Sequence, residues 1–308
     1  MPVSILDASA VIEPLRQLTL SEQPGVLAII TEIDGPSYRP LGAMMAVFAD
    51  KSRVGTLSSG CIEADVALHA VETLALGHPK TIRYGLGSPF VDIQLPCGGG
   101  LEITLIPQPD KAMLEELCQS HAARQCKVLS VVMATGALSW SSDRETGRDG
   151  DTFHIRIEPE LFFYVFGKGP EAATFAGLVQ SAGYPNLLLS PDEETLSAVT
   201  LSGGQTRHLT SAQFPSDLKP DTRSVIVLFF HDHEWEPPIL QHAATTDAFY
   251  IGAQGSQRAA MARKSELAAL GLSPGDLAKI KGPIGLIPSA RDARKLAVSV
   301  LAEVLNES

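Results

Sequence analysis

The chain has 308 residues, enough for about two domains that each bury a core of their own. Its 44% hydrophobic and 19% charged residues, with 26 glycines and 21 prolines, mark a folded globular protein and exclude a disordered, collagenous or coiled-coil chain. A net charge of −11 repels a phosphate backbone or an anionic membrane overall, which excludes nucleic-acid and membrane partners but leaves room for one local basic pocket.

Met1 to Leu20 carries Asp7 and Glu13 and lacks a basic region followed by an apolar core, so it does not read as a signal peptide. Apolar runs such as Val225–Phe230 are far too short to span a bilayer. Only four cysteines occur, Cys61, Cys97, Cys118 and Cys126, and they are expected as reduced thiols in a cytoplasm.

Periodicity divides the chain near residue 155, giving domains 1–157 and 158–308. In the first, Gly25–Glu32 and Ala43–Phe48 read as strands, joined by the Pro- and Gly-rich loop Asp34–Pro40. Ile62 to Leu76 reads as a helix, with Ile62, Val66, Ala70 and Leu74 on one face. Cys97-Gly98-Gly99-Gly100 leads into a strand at Leu101–Ile106, followed by a helix at Lys111–Arg124 and strands at Lys127–Ala134 and Thr152–Ile157. Ser141–Gly150 reads as an exposed hairpin or loop. The whole is a mixed α+β arrangement.

The second part has another rhythm. The strand Leu161–Phe166 runs directly into Gly167-Lys168-Gly169-Pro170-Glu171-Ala172 and a helix to about Ala182. Strands at Asn186–Leu189, Ser224–Phe230 and Ala248–Ile251, and helices at Ser256–Leu270 and Arg291–Leu305, complete an alternation that predicts a doubly wound, Rossmann-like parallel sheet.

Five features carry candidate chemistry. Cys61 sits at the start of a predicted helix, where unpaired N–H groups and the helix dipole favour a thiolate; the alternative is a small residue packed between loop and helix. Cys97 precedes three glycines, whose backbone approaches a ligand closely; the alternative is a glycine turn with an incidental cysteine. Their 36-residue separation is no zinc-ribbon spacing, and Cys118 and Cys126 read as structural. Arg39, between Pro36, Pro40 and Gly42, is either a rigid guanidinium for a phosphate or pterin edge or an exposed loop arginine.

The G-x-G-x-x-A run at 167–172 stands between strand and helix, as a dinucleotide loop does, but Pro170 removes one donor, and Asp192, behind Ser190-Pro191, is awkwardly placed for a ribose. His231-Asp232-His233-Glu234 follows a strand at its carboxyl end and reads either as a metal cluster or as a solvated loop. No G-x-S-x-G elbow, H-E-x-x-H or complete P-loop occurs, which weakens hydrolase and NTPase readings.

Taken in order, these residues resemble the XdhC/CoxI family, the accessory proteins of xanthine dehydrogenase and related molybdenum hydroxylases. The matching blocks are Gly35–Met45, Gly55–Glu63 around Cys61, Cys97–Glu102, His231–Glu234, Tyr250–Gly252 with Gly255–Arg258, Gly282–Leu286 and Ala297–Glu303. The resemblance implies a cytoplasmic chaperone that binds molybdenum cofactor, a molybdopterin or its cytosine dinucleotide form. Such a protein supports cofactor sulfuration with a cysteine desulfurase and inserts the cofactor into an apo molybdenum hydroxylase. It implies Cys61 and Cys97 as ligands to molybdenum or its dithiolene, with Arg39, Gly60, Gly98 and Gly99 around the cofactor. A homodimer is expected.

Gly167 and Gly169 are the cofactor-binding positions of the second domain, and a nicotinamide-dependent oxidoreductase using NAD(P) in that crevice is the rival reading. A metal-dependent hydrolase on His231 and His233 ranks third. The sequence departs from the family pattern at Pro36, Tyr38, Ser59, Pro170, Ser190 and Ile287–Ser289.

Overall fold

The stretch Gly25–Asp34 is apolar at both parities, which demands burial on both faces. In the computed structural model, which describes residues 11–89, 95–230 and 234–308, it is the strand β1 at the centre of a five-stranded sheet. Two compact units divide the chain, Met1–Pro159 and Glu160–Ser308.

The first unit begins with a helix, α1 (Glu13–Leu20), then β1, β2 (Met44–Phe48), β3 (Arg53–Gly55), α2 (Glu63–Leu76), β4 (Lys80–Gly85) and β5 (Gly100–Pro107). Helix α3 (Lys111–Ala122) leads to β6 (Lys127–Val132), β7 (Leu138–Ser141), β8 (Gly147–Asp149) and β9 (Thr152–Ile157). The strands form two antiparallel sheets, β3-β2-β1-β5-β4 and β7-β6-β9-β8. Strand parity sorts β1 between two cores. Leu27 and Ile29 join Leu15 and Leu18 of α1, Leu114 of α3 and Phe153 of the second sheet, whereas Val26, Ala28 and Ile30 meet Val66, Ala67 and Ala70 of α2.

The second unit runs β10 (Phe162–Gly167), α4 (Pro170–Ser181), β11 (Asn186–Ser190), α5 (Glu193–Leu201), β12 (Thr206–His208) and β13 (Ser224–Phe229). It continues with α6 (Glu236–Ala243), β14 (Tyr250–Ala253), α7 (Gln257–Ala269), α8 (Pro274–Lys279), β15 (Ile280–Lys281) and α9 (Ala293–Glu307). All six strands pair in parallel in the order β12-β11-β10-β13-β14-β15, so the winding reverses between β10 and β13, as in a Rossmann sheet. Phe163, Val165, Val227 and Phe229 face α4 and α9, while Tyr164, Phe166, Ile226 and Leu228 face the side that carries α6 and α7. The doubly wound reading therefore holds.

Several elements carry too weak a pattern to be seen in the sequence. Strand β4 alternates only Ile82 and Tyr84 against Lys80, Thr81 and Arg83, and the three-residue β12 and two-residue β15 exist because neighbouring strands offer them partners. Of the two readings for Ser141–Gly150, hairpin or loop, the hairpin is found in part: Gly147–Asp149 is the strand β8, paired antiparallel to β9. Asp192, considered for a ribose, is the N-cap of α5: its carboxylate accepts from Thr195 N at 2.8 Å.

The aromatic pair Phe175–Phe229, with ring centroids 5.1 Å apart, joins α4 to the central strand β13. Phe229 is fully buried. Phe229→Ala should destabilise the protein by about 3–5 kcal/mol, read as a lower urea midpoint, and a change below about 1 kcal/mol would mean that the α4 face repacks freely.

Candidate functional site

The segment between β3 and α2 closes around one carboxylate. Glu63 Oε1 accepts from Leu57 N at 2.9 Å, Ser58 N at 2.7 Å and the Thr56 hydroxyl, and Oε2 accepts from Ser58 Oγ at 2.7 Å and Ile62 N at 3.2 Å. Burial by itself would raise the Glu63 pKa. The hydrogen bonds from Thr56, Ser58 and Leu57 outweigh it and bring it down from 4.5 to about 2. Glu63 thus fixes the loop that presents Cys61.

Within that loop Ser59 (φ 59°) and Gly60 (φ 104°) take the left-handed region. Cys61, which follows, is exposed, so it is not the small buried residue of the alternative reading. A side chain built at Gly60 would meet nothing within 4 Å, which leaves space open beside the thiol.

The Cys97 loop is shaped by close backbone contacts. Gly98 N donates to Leu95 O at 2.9 Å, and Gly98 (φ 75°) also faces open space. Gly99 has no such freedom: a Cβ there would collide with the carbonyl of Pro36, and would lie 2.9 Å from that of Asp34. Its own carbonyl accepts from Leu86 N at 3.1 Å. Gly99 therefore presses the Cys97 turn against the loop between β1 and β2. Cys97 is half-buried on the core that contains Leu57 and Ile62, which flank the Cys61 segment.

Arg39 lies on that β1–β2 loop. Ser37 Oγ donates to Arg39 O at 2.7 Å and accepts from Arg39 N at 3.2 Å, and Gly42 N donates to Ile30 O at 2.9 Å to close the hairpin. Arg83 braces the base of the loop, bonding Leu86 O at 2.9 Å and pairing with Glu32 and Asp34. Among the described residues Arg39 itself has no such anion. Its Nε is buried with no hydrogen-bond partner among them, and burial lowers its pKa. A desolvated guanidinium nitrogen without an acceptor is costly unless a ligand supplies one. Glu102 does something different: it accepts from Thr31 Oγ1 at 3.3 Å and lies 3.5 Å from Arg148.

In the second unit the G-x-G-x-x-A turn is engaged by the protein itself. Gly167 sits so close to Phe229 and Ala172 that a Cβ would approach both within 3.0 Å. Gly169 N donates to Thr195 Oγ1 at 2.8 Å, and that hydroxyl in turn donates to Asp192. The blocks around Tyr250, Gly285 and Glu303 form a structural knot: Tyr250 donates to Glu303 Oε1 at 2.6 Å, Gly285 N to Glu303 Oε2, and Ile287 N to Ser299 Oγ at 2.7 Å. His231 and His233 lie outside the described residues. Among the described residues no group of three or more His, Cys, Asp or Glu could hold a metal ion, and no helix is long and apolar enough to cross a membrane.

Residues 18–85 match the XdhC and CoxI family and residues 163–304 the XdhC Rossmann domain. Across 289 residues, 92% of this chain and 84% of the relative, the chain is 34% identical to the molybdenum cofactor insertion chaperone PaoD of Escherichia coli. The chain belongs to the XdhC and CoxI family. A further family resemblance, at 23% identity over 94% of this chain and 95% of the relative, is to a probable xanthine dehydrogenase subunit of Bacillus subtilis. The XdhC fold is also seen in a crystal structure described as a xanthine dehydrogenase from Bacillus halodurans, with a TM-score of 0.77 and 21% identity, covering 96% of this chain and 95% of that one.

The Glu63 network sets a pH dependence for this XdhC-type loop. A carboxylate with a depressed pKa in the fold stabilises it above the unfolded value of 4.5, and the effect is lost as pH falls towards 2. Glu63→Gln should lose roughly 3 kcal/mol at pH 7 and show a shallower decline in stability from pH 5 to pH 2 than wild type. Parallel pH profiles of the two proteins in urea unfolding would show that the network does not stabilise the loop.

Proposed function

We propose that this protein is a molybdenum-cofactor chaperone, a binding protein without turnover of its own, whose site is built from Cys61, Cys97 and Arg39 in the first unit. The observation that carries the reading is the buried Arg39 Nε with no acceptor among the described residues, on the loop against which Gly99 presses the Cys97 turn. An anionic or acceptor-rich cargo such as the pterin and its phosphate answers that deficit, as a guanidinium fork suits a planar edge or a phosphate. Thiolates are soft ligands suited to molybdenum or to its dithiolene region, and the space beside Gly60 and Gly98 leaves room for the cargo's approach. The kinship with a molybdenum cofactor insertion chaperone supports the same reading.

In this proposal the first unit holds the cofactor in molybdopterin or cytosine dinucleotide form. Exchange of a terminal oxo for a sulfido ligand takes place with a cysteine desulfurase. Delivery is to an apo-enzyme of the xanthine dehydrogenase or aldehyde oxidase type, and the chaperone acts in the cytoplasm as a homodimer. The oxidoreductase alternative gains no support from the second unit, because Gly169 N is already bonded to Thr195 and Pro170 has no N–H to offer.

The test is molybdenum and pterin content after co-expression with cofactor biosynthesis. Near-stoichiometric cofactor is expected in wild type, at least a tenfold loss in Cys61→Ala and Cys97→Ala, and a loss in Arg39→Ala, with unchanged circular dichroism throughout. Equal cofactor in wild type and both cysteine variants would remove the thiols from the site. A wild type without cofactor, when cofactor is demonstrably available, would sink the chaperone reading itself.

A further inference from the structure

Tyr38, Leu68 and Leu86 are large apolar side chains in solvent, and each belongs to a segment that carries one of the proposed cofactor residues. Tyr38, 63% exposed, adjoins Arg39. Leu86, 62% exposed, donates its N–H to the Gly99 carbonyl of the Cys97 turn. Leu68, 47% exposed, lies on α2, which follows Cys61. Ala64, one turn before Leu68, is exposed too, so the outward face of α2 is apolar back to the thiol segment. Single exposed apolar residues are ordinary on folded proteins. Three of them on the three segments of one site form a rim to it.

None of the three is exposed because its segment is loose. Ser37 Oγ donates to Arg39 O at 2.7 Å and accepts from Arg39 N at 3.2 Å, so the residues on either side of Tyr38 are tied to each other. Leu86 is held at both backbone groups: its N–H bonds Gly99 O at 3.1 Å, and its carbonyl accepts from Arg83 Nε at 2.9 Å. Leu68 stands in mid-helix, three residues after Asp65, whose carboxylate accepts from Tyr84 Oη at 2.6 Å. That bond ties α2 to β4 two residues before Leu86. Apolar groups presented by fixed backbone lose little freedom on association, which is the property of an anchor in a protein–protein contact.

The place and size of the rim decide what meets it. A cargo held between the Cys61, Cys97 and Arg39 segments leaves past their exposed side chains, so the protein that receives it comes face to face with the rim. The patch is also small. Three side chains bury at most a few hundred Å², against roughly 800 Å² per partner in a stable complex. That suits an association that forms and releases, and falls short of what a permanent pairing with a second copy of this chain needs.

From this we infer that Tyr38, Leu68 and Leu86 form the docking surface for the acceptor protein, an apo molybdenum hydroxylase that presents an apolar face around its empty cofactor entrance. The inference rests on the chaperone reading and adds to it the surface through which delivery takes place.

Transfer from the cofactor-loaded full chain to a molybdenum hydroxylase produced in cofactor-deficient cells tests it, read as molybdenum in the re-isolated acceptor over time. The triple variant Tyr38→Ser, Leu68→Gln, Leu86→Gln should carry as much molybdenum as wild type and melt no lower, since all three positions are exposed. It should load the acceptor at least tenfold more slowly. Leu201→Gln, at an 89% exposed position on α5 of the second unit, should transfer as wild type does. A triple variant that transfers at the wild-type rate overturns the inference and leaves the chaperone reading intact. So does one that loses its molybdenum, because the three side chains then cover the cargo. A triple variant that turns from dimer to monomer in light scattering also overturns it, because the rim then faces a second copy. A wild type that loads no cofactor fails the chaperone reading, and the inference falls with it.

Discussion

The first unit is organised by the Glu63 carboxylate. A negative charge at the start of α2 is satisfied by three backbone N–H groups and two hydroxyls, all from residues 56–62. Hydrogen bonds of this density compensate the loss of water around the charge, and they leave the segment little freedom. Residues 59 and 60 are thereby held in the left-handed region and Cys61 is turned outward. The thiol's exposure follows from the carboxylate's burial.

The Cys97 turn reaches a similar result by other means. It lacks a charged centre and relies on steric fit: Gly99 between the carbonyls of Asp34 and Pro36, and Gly85 beneath Gly99 O, where any Cβ would collide. Such contacts transmit position between loops that share no side-chain hydrogen bond, because close-packed backbone does not compress. The result places a half-buried thiol loop beside the loop of an arginine whose buried Nε has no partner among the described residues. Two loops fixed by their own interiors, and one nitrogen without an acceptor among the described residues, describe a surface whose shape the protein itself sets.

Much of this was legible in the sequence. The two-sided burial of β1 followed from apolar residues at both parities, and the parallel sheet from alternating strands and helices. Cys61 and Cys97 stood out through their glycine-rich settings and Arg39 through its prolines. What remained hidden was long-range. That Glu63 would bond backward to Thr56, Leu57 and Ser58 needed the turn itself, and the Gly99–Pro36 contact links residues whose proximity depends on β1 pairing with β5. A cavity of the second unit was equally invisible: Gln254, Arg263 and Pro283, which line it, come from three separate parts of the chain, and the family blocks include only Pro283 of the three.

Thr195 gives the second unit a property that reaches beyond this chain. Six letters from Gly167 to Ala172 are the same whether the turn greets a pyrophosphate or is closed by its own protein, because the hydroxyl that fills the donor is 26 residues downstream of Gly169. A pattern that ends at the helix start is blind to it. Two proteins can therefore share a nucleotide fingerprint and differ in whether a vacancy stands behind it. The residue to compare between them lies in the first turn of the helix after the second strand, where a hydroxyl able to reach back converts a binding loop into a buttress.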